Sequence, residues 1–194
     1  MKFGDFKVKF RDLPLLPTRV VFGKASGADL NQLDRWCKQG LLLQLRRGLY
    51  ILGKEDRKIE PSRLYLAGQL YQPSYVSLEY ALSRYGLIPE RVADVTSVST
   101  KKTAKFINDF GTFIYQTVKA SAFRGFISGK DEAGLPYFIA EPEKAVADFI
   151  YLNIGKIAAG SAEKTLLESF RFQNLASLKK NKITTYFGLF NNLR

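Results

Sequence analysis

Histidine is absent from the 194 residues and cysteine occurs once, at Cys37. Without imidazole there is no Ser-His-Asp or Cys-His relay and no His-ligated metal, and a lone thiol forms neither a zinc cluster nor an internal disulfide. Any catalysis would fall to Lys, Tyr or carboxylate groups. No run of about 18 apolar residues occurs, which speaks against a membrane span. Met1 to Phe10 mixes Lys2, Asp5, Lys7 and Lys9 with its aromatics, unlike a secretory leader. The expectation is a cytoplasmic chain with no membrane association, a reduced thiol, no cofactor and no metal. Acidic residues are also scarce, 18 against 30 Lys plus Arg, for a formal net charge of +12.

A 46% hydrophobic share with 13% aromatics is the composition of a folded chain with a core of ordinary size. The length lies between one large domain and two small ones. Basic residues exceed acidic ones by six over residues 1–60, by one over 61–150 and by five over 151–194. Two basic ends around a near-neutral middle point to a polyanion, with nucleic acid ahead of a membrane surface or mere solubility.

Phe6, Val8 and Phe10 alternate with Lys7 and Lys9, the period of a short edge strand that Pro14 interrupts. Pro17 suits the first turn of a two-turn helix carrying Val20, Val21 and Phe22. Ser26 and Asp29 have capping-box spacing, so a second helix starts there, with Leu30, Leu33 and Cys37 as its buried stripe, Trp36 at the border and Gly40 as its stop. Leu41 to Leu45 and Leu49 to Leu52 flank Arg46-Arg47-Gly48, the pattern of a β-hairpin.

A capped polar helix followed by an Arg-tipped hairpin is the layout of a winged helix-turn-helix, whose helix enters the major groove while the wing lies on the backbone or minor groove. Asn and Gln amides pair with adenine and Arg with guanine, so Asn31, Gln32 and Arg35 are the candidate base readers. Lys38, Arg46 and Arg47 are the candidate phosphate contacts. The alternative is a solvated helix face and an ordinary hairpin tip, and Asp34 on the same helix would be repelled by phosphate. Gly23-Lys24-Ala25-Ser26 is similar to the end of a phosphate loop, but Thr18 stands where the motif requires Gly.

The charged stretch Lys54 to Lys58 divides a DNA-binding domain, residues 1–58, from a C-terminal domain, residues 59–194. The predicted class is α+β, a winged helix-turn-helix followed by a mixed α/β domain with a small sheet and flanking helices. Leu64, Leu66, Ala67 and Leu70 predict a helix ending before Pro73. Another follows from a Ser77 cap to Gly86, and a third starts at Pro142 with Ala145, Phe149 and Leu152 on one face. Strands are expected over 92–99, 113–118 and 137–139, with Lys101, Lys102 and Lys105 between the first two. Residues 162–175 and 178–187 read as helical, with Lys179, Lys180 and Lys182 open to nucleic acid, an acidic partner or a helix terminus. Glu143, Lys144 and Asp148 form an acid-base grouping with neither a nucleophile nor a glycine-rich loop beside it, so no enzyme is expected.

Three stretches in order, DLNQLDRWCKQGLLLQLRRGLYIL, PSYVSLEYALSRYGLI and IAEPEKAVADFIYL, resemble the AbiEi family of antitoxins from type IV toxin-antitoxin systems. With the segments between them the resemblance covers about residues 15–155. It implies a winged-helix domain that represses its own operon at promoter inverted repeats in double-stranded DNA. It also implies a second domain that suppresses a nucleotidyltransferase-like toxin without stable binding. Asn31, Gln32, Arg35, Arg46 and Arg47 then fall in the DNA-binding domain, while Ser77, Glu79, Glu143, Lys144 and Asp148 fall in motifs that look structural. The alternative is a stand-alone winged-helix regulator or adaptor with no toxin partner.

Overall fold

The computed structural model describes residues 1–156 and 170–191, and among these the chain is α+β, with seven α-helices and two sheets. The chain opens with α1 (Phe3–Phe10), β1 (Leu16–Pro17), α2 (Thr18–Phe22), α3 (Gly27–Lys38) and the hairpin β2 (Leu42–Arg46) and β3 (Leu49–Leu52). The expected strand at Phe6 to Phe10 is therefore a helix. Alternation placed Val8 with the phenylalanines, but Val8 is 65% exposed, whereas Phe6 and Phe10 are buried and Phe3 packs beside them. Phe6 lies 4.7 Å from the Trp36 ring and 4.9 Å from Phe10, Phe3 lies 5.3 Å from Trp36, and this aromatic stack on one helical face outweighs the two-residue pattern.

Trp36 changes α3 as well. Leu33 and Trp36 are its buried pair, while Leu30 is 48% exposed and Cys37 only half-buried, so the predicted Leu30-Leu33-Cys37 stripe is turned toward Trp36. The large ring has more apolar surface to bury than Leu30 and sets the rotation of the helix. Gly40 follows α3 with φ of 72°, where L side chains are disfavoured.

The hairpin forms as the apolar runs predict, and β1 joins it antiparallel to give a sheet of order β1-β3-β2 with Leu16 opposite Tyr50 and Pro17 opposite Leu49. Pro17 is confined to this edge, where its missing N–H costs no ladder bond. Both hairpin faces are covered. Leu42, Tyr50 and Leu52 pack with α1 and α3, while Leu45, Leu49 and Ile51 enter the larger core.

That core is built on a second sheet of order β6-β7-β5-β4-β9-β8: β4 (Ser74–Val76), β5 (Val95–Ser99), β6 (Ala104–Asn108), β7 (Gly111–Thr117), β8 (Phe126–Lys130) and β9 (Pro136–Ala140). The β4–β9 and β5–β7 pairs are parallel and the others antiparallel. Helix α4 (Arg63–Leu70) covers one face, where the Tyr115 hydroxyl donates to the Ala67 carbonyl at 2.7 Å. The opposite face carries α5 (Leu78–Arg84), α6 (Pro142–Asn153) and α7 (Lys180–Asn191), with Tyr75 reaching α6. Strands β4, β6 and β8 are additional to the three expected. The helix expected over 162–175 lies for the most part outside the described residues, and 178–187 falls within and just before α7. Among the described residues no helix is long and apolar enough to cross a membrane.

Candidate nucleic-acid interface

Helix α3 is fixed at its start by the capping box. The Ser26 hydroxyl accepts from the Asp29 N–H at 3.2 Å, and the Asp29 carboxylate accepts from the Ser26 N–H at 2.8 Å. With Leu33 and Trp36 holding the inner face, Asn31, Asp34, Arg35 and Lys38 stand on the outer one. Asn31, Arg35 and Lys38 recur at i, i+4 and i+7, a ridge of donors along the exposed side. Asp34 lies within it and pairs with Lys38 at 2.7 Å. Both side chains are more than half exposed, so the pair adds little stability and mainly offsets the acid on this face. Gln32 sits on the flank, its Nε2 donating to the Met1 carbonyl at 2.7 Å.

The hairpin tip forms a second group. Arg46 and Arg47 are exposed, and among the described residues neither pairs with a carboxylate. Arg46 Nη1 donates to the Arg47 carbonyl at 3.2 Å, and the register shifts between Gln44 and Arg46. Gly48 turns the tip with φ of 77°, and its carbonyl accepts from the Thr18 N–H at 2.9 Å, tying the tip to α2.

Beside this tip lies a cleft of about 630 Å³ that sequence reasoning did not assign. Arg46, Arg47 and Gly48 form one wall; Gln69, Gln72 and Lys101 belong to the others. Among the described residues no Asp or Glu lines it. Lys101 Nζ sits 5.6 Å from the centroid of Tyr71, whose hydroxyl donates to the Lys102 carbonyl at 2.8 Å. The run Lys101, Lys102, Lys105 was visible in the sequence, but only the approach of β2 to β6, with Asn108 Nδ2 donating to the Leu45 carbonyl at 3.1 Å, brings that region beside the hairpin.

The acid-base grouping is elsewhere and closed. Asp148 accepts from Ser77 Oγ at 2.8 Å and from the Tyr75 hydroxyl at 3.1 Å, and pairs with Lys144 one turn earlier on α6. Both charged side chains are fully buried. Burial dominates at each, raising the Asp148 carboxyl and lowering the Lys144 amine, with their mutual attraction acting against it. Ser77 occupies the cap position of α5, but its hydroxyl serves Asp148 rather than the helix amides, which corrects the expected cap. Lys144 Nζ lies 4.9 Å from the Phe190 ring, so α7 closes the cluster from outside. Glu143 stands apart, accepting from the Lys179 N–H at 3.2 Å.

No model of a known protein family and no curated protein matches this chain.

Proposed function

We propose that this chain is a DNA-binding antitoxin, not an enzyme, that represses its own operon and counteracts a nucleotidyltransferase-type toxin. The DNA-binding half is carried by one observation: a capped helix whose outward ridge is Asn31, Arg35 and Lys38, followed directly by a hairpin whose tip holds two arginines with no carboxylate partner among the described residues. The three-stranded sheet with α1 to α3 on it is the framework a winged helix-turn-helix uses. In that reading α3 enters the major groove, Asn31 and Arg35 read base edges, and Arg46 and Arg47 hold phosphates. Gln32 serves as a base reader only after releasing the Met1 carbonyl. Promoter inverted repeats would take two copies of the chain.

The antitoxin half rests on the resemblance of the three ordered stretches to the AbiEi family. A binding titration against duplex DNA from upstream of the gene, with a scrambled duplex of equal length as control, tests the first half. A preference of about a thousandfold or more for the native fragment is the expected result, and equal, strongly salt-dependent binding to both duplexes would remove sequence-specific readout. Coexpression with a neighbouring nucleotidyltransferase gene tests the second half. Undiminished toxicity, with DNA binding intact, leaves a stand-alone cytoplasmic regulator.

A further inference from the structure

The cleft beside the hairpin tip lies where the two sheets meet. One wall, Arg46 to Gly48, comes from the three-stranded sheet; the other comes from the six-stranded side, with Gln69 to Gln72 at the end of α4 and Lys101 in the turn between β5 and β6. Its charged groups among the described residues are Arg46, Arg47 and Lys101, all exposed and none paired there with a carboxylate. A volume of about 630 Å³ falls in the range of small-molecule sites.

Two observations place this charge on the cleft rather than in open solvent. Burial raises the Tyr115 hydroxyl, and the Arg46 charge acts against that rise, so Arg46 is felt in the body of the six-stranded sheet. Lys101 Nζ stands 5.6 Å from the Tyr71 centroid, and the Tyr71 ring lies 5.1 Å from Tyr115 and 5.9 Å from Phe106, so the ammonium rests on a packed aromatic floor. Three like charges gathered on one concavity repel one another, and an anion among them offsets that repulsion. The arrangement favours phosphate over carboxylate. A planar carboxylate is satisfied by a single guanidinium fork, whereas a phosphate points its oxygens tetrahedrally and accepts from donors on facing walls.

We propose that the cleft binds a small anion of linked phosphates, held between Arg46 and Arg47 on one wall and Lys101 on the other. Such an anion would compete with DNA for the hairpin tip, a consequence that rests on the DNA-binding reading; the site itself does not.

Isothermal titration of the full chain with tripolyphosphate, citrate and sulfate at near-physiological salt tests the site. Tripolyphosphate is expected to bind saturably, one per chain, and about tenfold or more tighter than citrate or sulfate. Lys101→Gln, an exposed change outside the proposed DNA contact, is expected to weaken tripolyphosphate by about tenfold. Lys105→Gln is the control, equal in charge and close in sequence. Lys105 pairs with Ile114, which borders a different hollow beside Leu152 of α6, whereas its neighbour Phe106 lines the cleft, so strand alternation puts Lys105 on the opposite face. Its loss is expected to leave tripolyphosphate binding unchanged. Equal weakening in the two variants would mean that net charge acts without the cleft, and citrate binding as tightly as tripolyphosphate would remove the phosphate assignment; either overturns the proposal, as does absence of saturable tripolyphosphate binding or an affinity unchanged in Lys101→Gln. The titration contains no DNA, so its failure is separate from a failure of the operator titration.

Discussion

Asp148 carries three interactions in a place without solvent, and its removal strands a cation there. Asp148→Leu takes the carboxylate from Lys144, Ser77 and Tyr75 together, and leaving the Lys144 ammonium buried and unpaired should cost about 3 to 5 kcal/mol. The double change Lys144→Met and Asp148→Leu removes both charges and should recover most of that loss, because a buried pair contributes little over apolar packing. Equilibrium urea unfolding measures both; a double variant as weak as the single one would mean that the hydroxyls of Tyr75 and Ser77, not the charge, set the cost. Asp131 responds to pH in the opposite sense from a buried acid. Burial pushes its carboxyl up, but N–H donors of Ser62, Ala133 and Leu135 at 2.8 to 3.0 Å outweigh it and hold it below the ordinary aspartate value. Glu141 behaves likewise, with Lys182 and Tyr186 overcoming burial. Both groups favour the ionised form when folded, so their stabilisation is present above the unfolded values, about 3.9 for Asp and 4.3 for Glu, and is lost as pH falls through the depressed folded values. The thermal midpoint should therefore fall below about pH 4, and the fall should be smaller in Asp131→Asn. An identical acid limb in that variant would place the responsible groups elsewhere.

In the proposed DNA-binding reading, helix α3 and the hairpin divide recognition between selectivity and charge. Replacing Asn31 or Arg35 by Ala should cost about 1 to 3 kcal/mol on the preferred site and little on random DNA. Replacing Arg46 and Arg47 together should weaken binding to every sequence and flatten the salt dependence by up to about two units. Competition titrations over a range of salt separate the two; an unchanged slope would take the arginines off the backbone. The hairpin and the start of α3 could be read from sequence because each is locally determined, by a capping box in one case and by a glycine turn between apolar runs in the other. Helix α1 could not, since Phe6 and Phe10 fit a period of two as well as a helical face until Trp36 supplies the partner that decides between them. The same ring explains why Leu30 was misplaced. Strands β6 and β8 are edge strands with no fully buried residue, so they carry little of the apolar signal that marked β5 and β7. Of the candidate site, residue types on α3 and at the hairpin tip were visible, as was the lysine run from Lys101, whereas the place of Lys101 beside the hairpin was not, because nothing local to it encodes the approach of β6 to β2.

The charged stretch Lys54 to Lys58 marks the expected boundary between a DNA-binding domain and the rest, and the strand just before it, β3, is buried on both faces and serves two cores at once. Tyr50 and Leu52 belong with α1 and α3, while Leu49 and Ile51 belong with the large sheet, joined by Leu15 and Leu45. A strand shared in this way cannot lose one set of partners without exposing the other. The charged stretch after it adds ties rather than slack: Lys7 pairs with Asp56 at 2.5 Å and Lys58 with Asp12 at 2.7 Å. Unfolding should therefore be a single transition. Trp36 is the one tryptophan, 5% exposed among Phe3 and Phe6, so its fluorescence reports on the N-terminal core, while the far-ultraviolet circular dichroism reports on the whole. The two urea curves should superimpose. Leu45→Ala, made on the side facing away from Trp36's core, should cost about 2 to 5 kcal/mol and shift both curves together. Were the Trp36 curve to precede the dichroism and ignore Leu45→Ala, the N-terminal core would be an independent unit, and the cleft walled by Arg46, Arg47 and Lys101 would open and close with its motion.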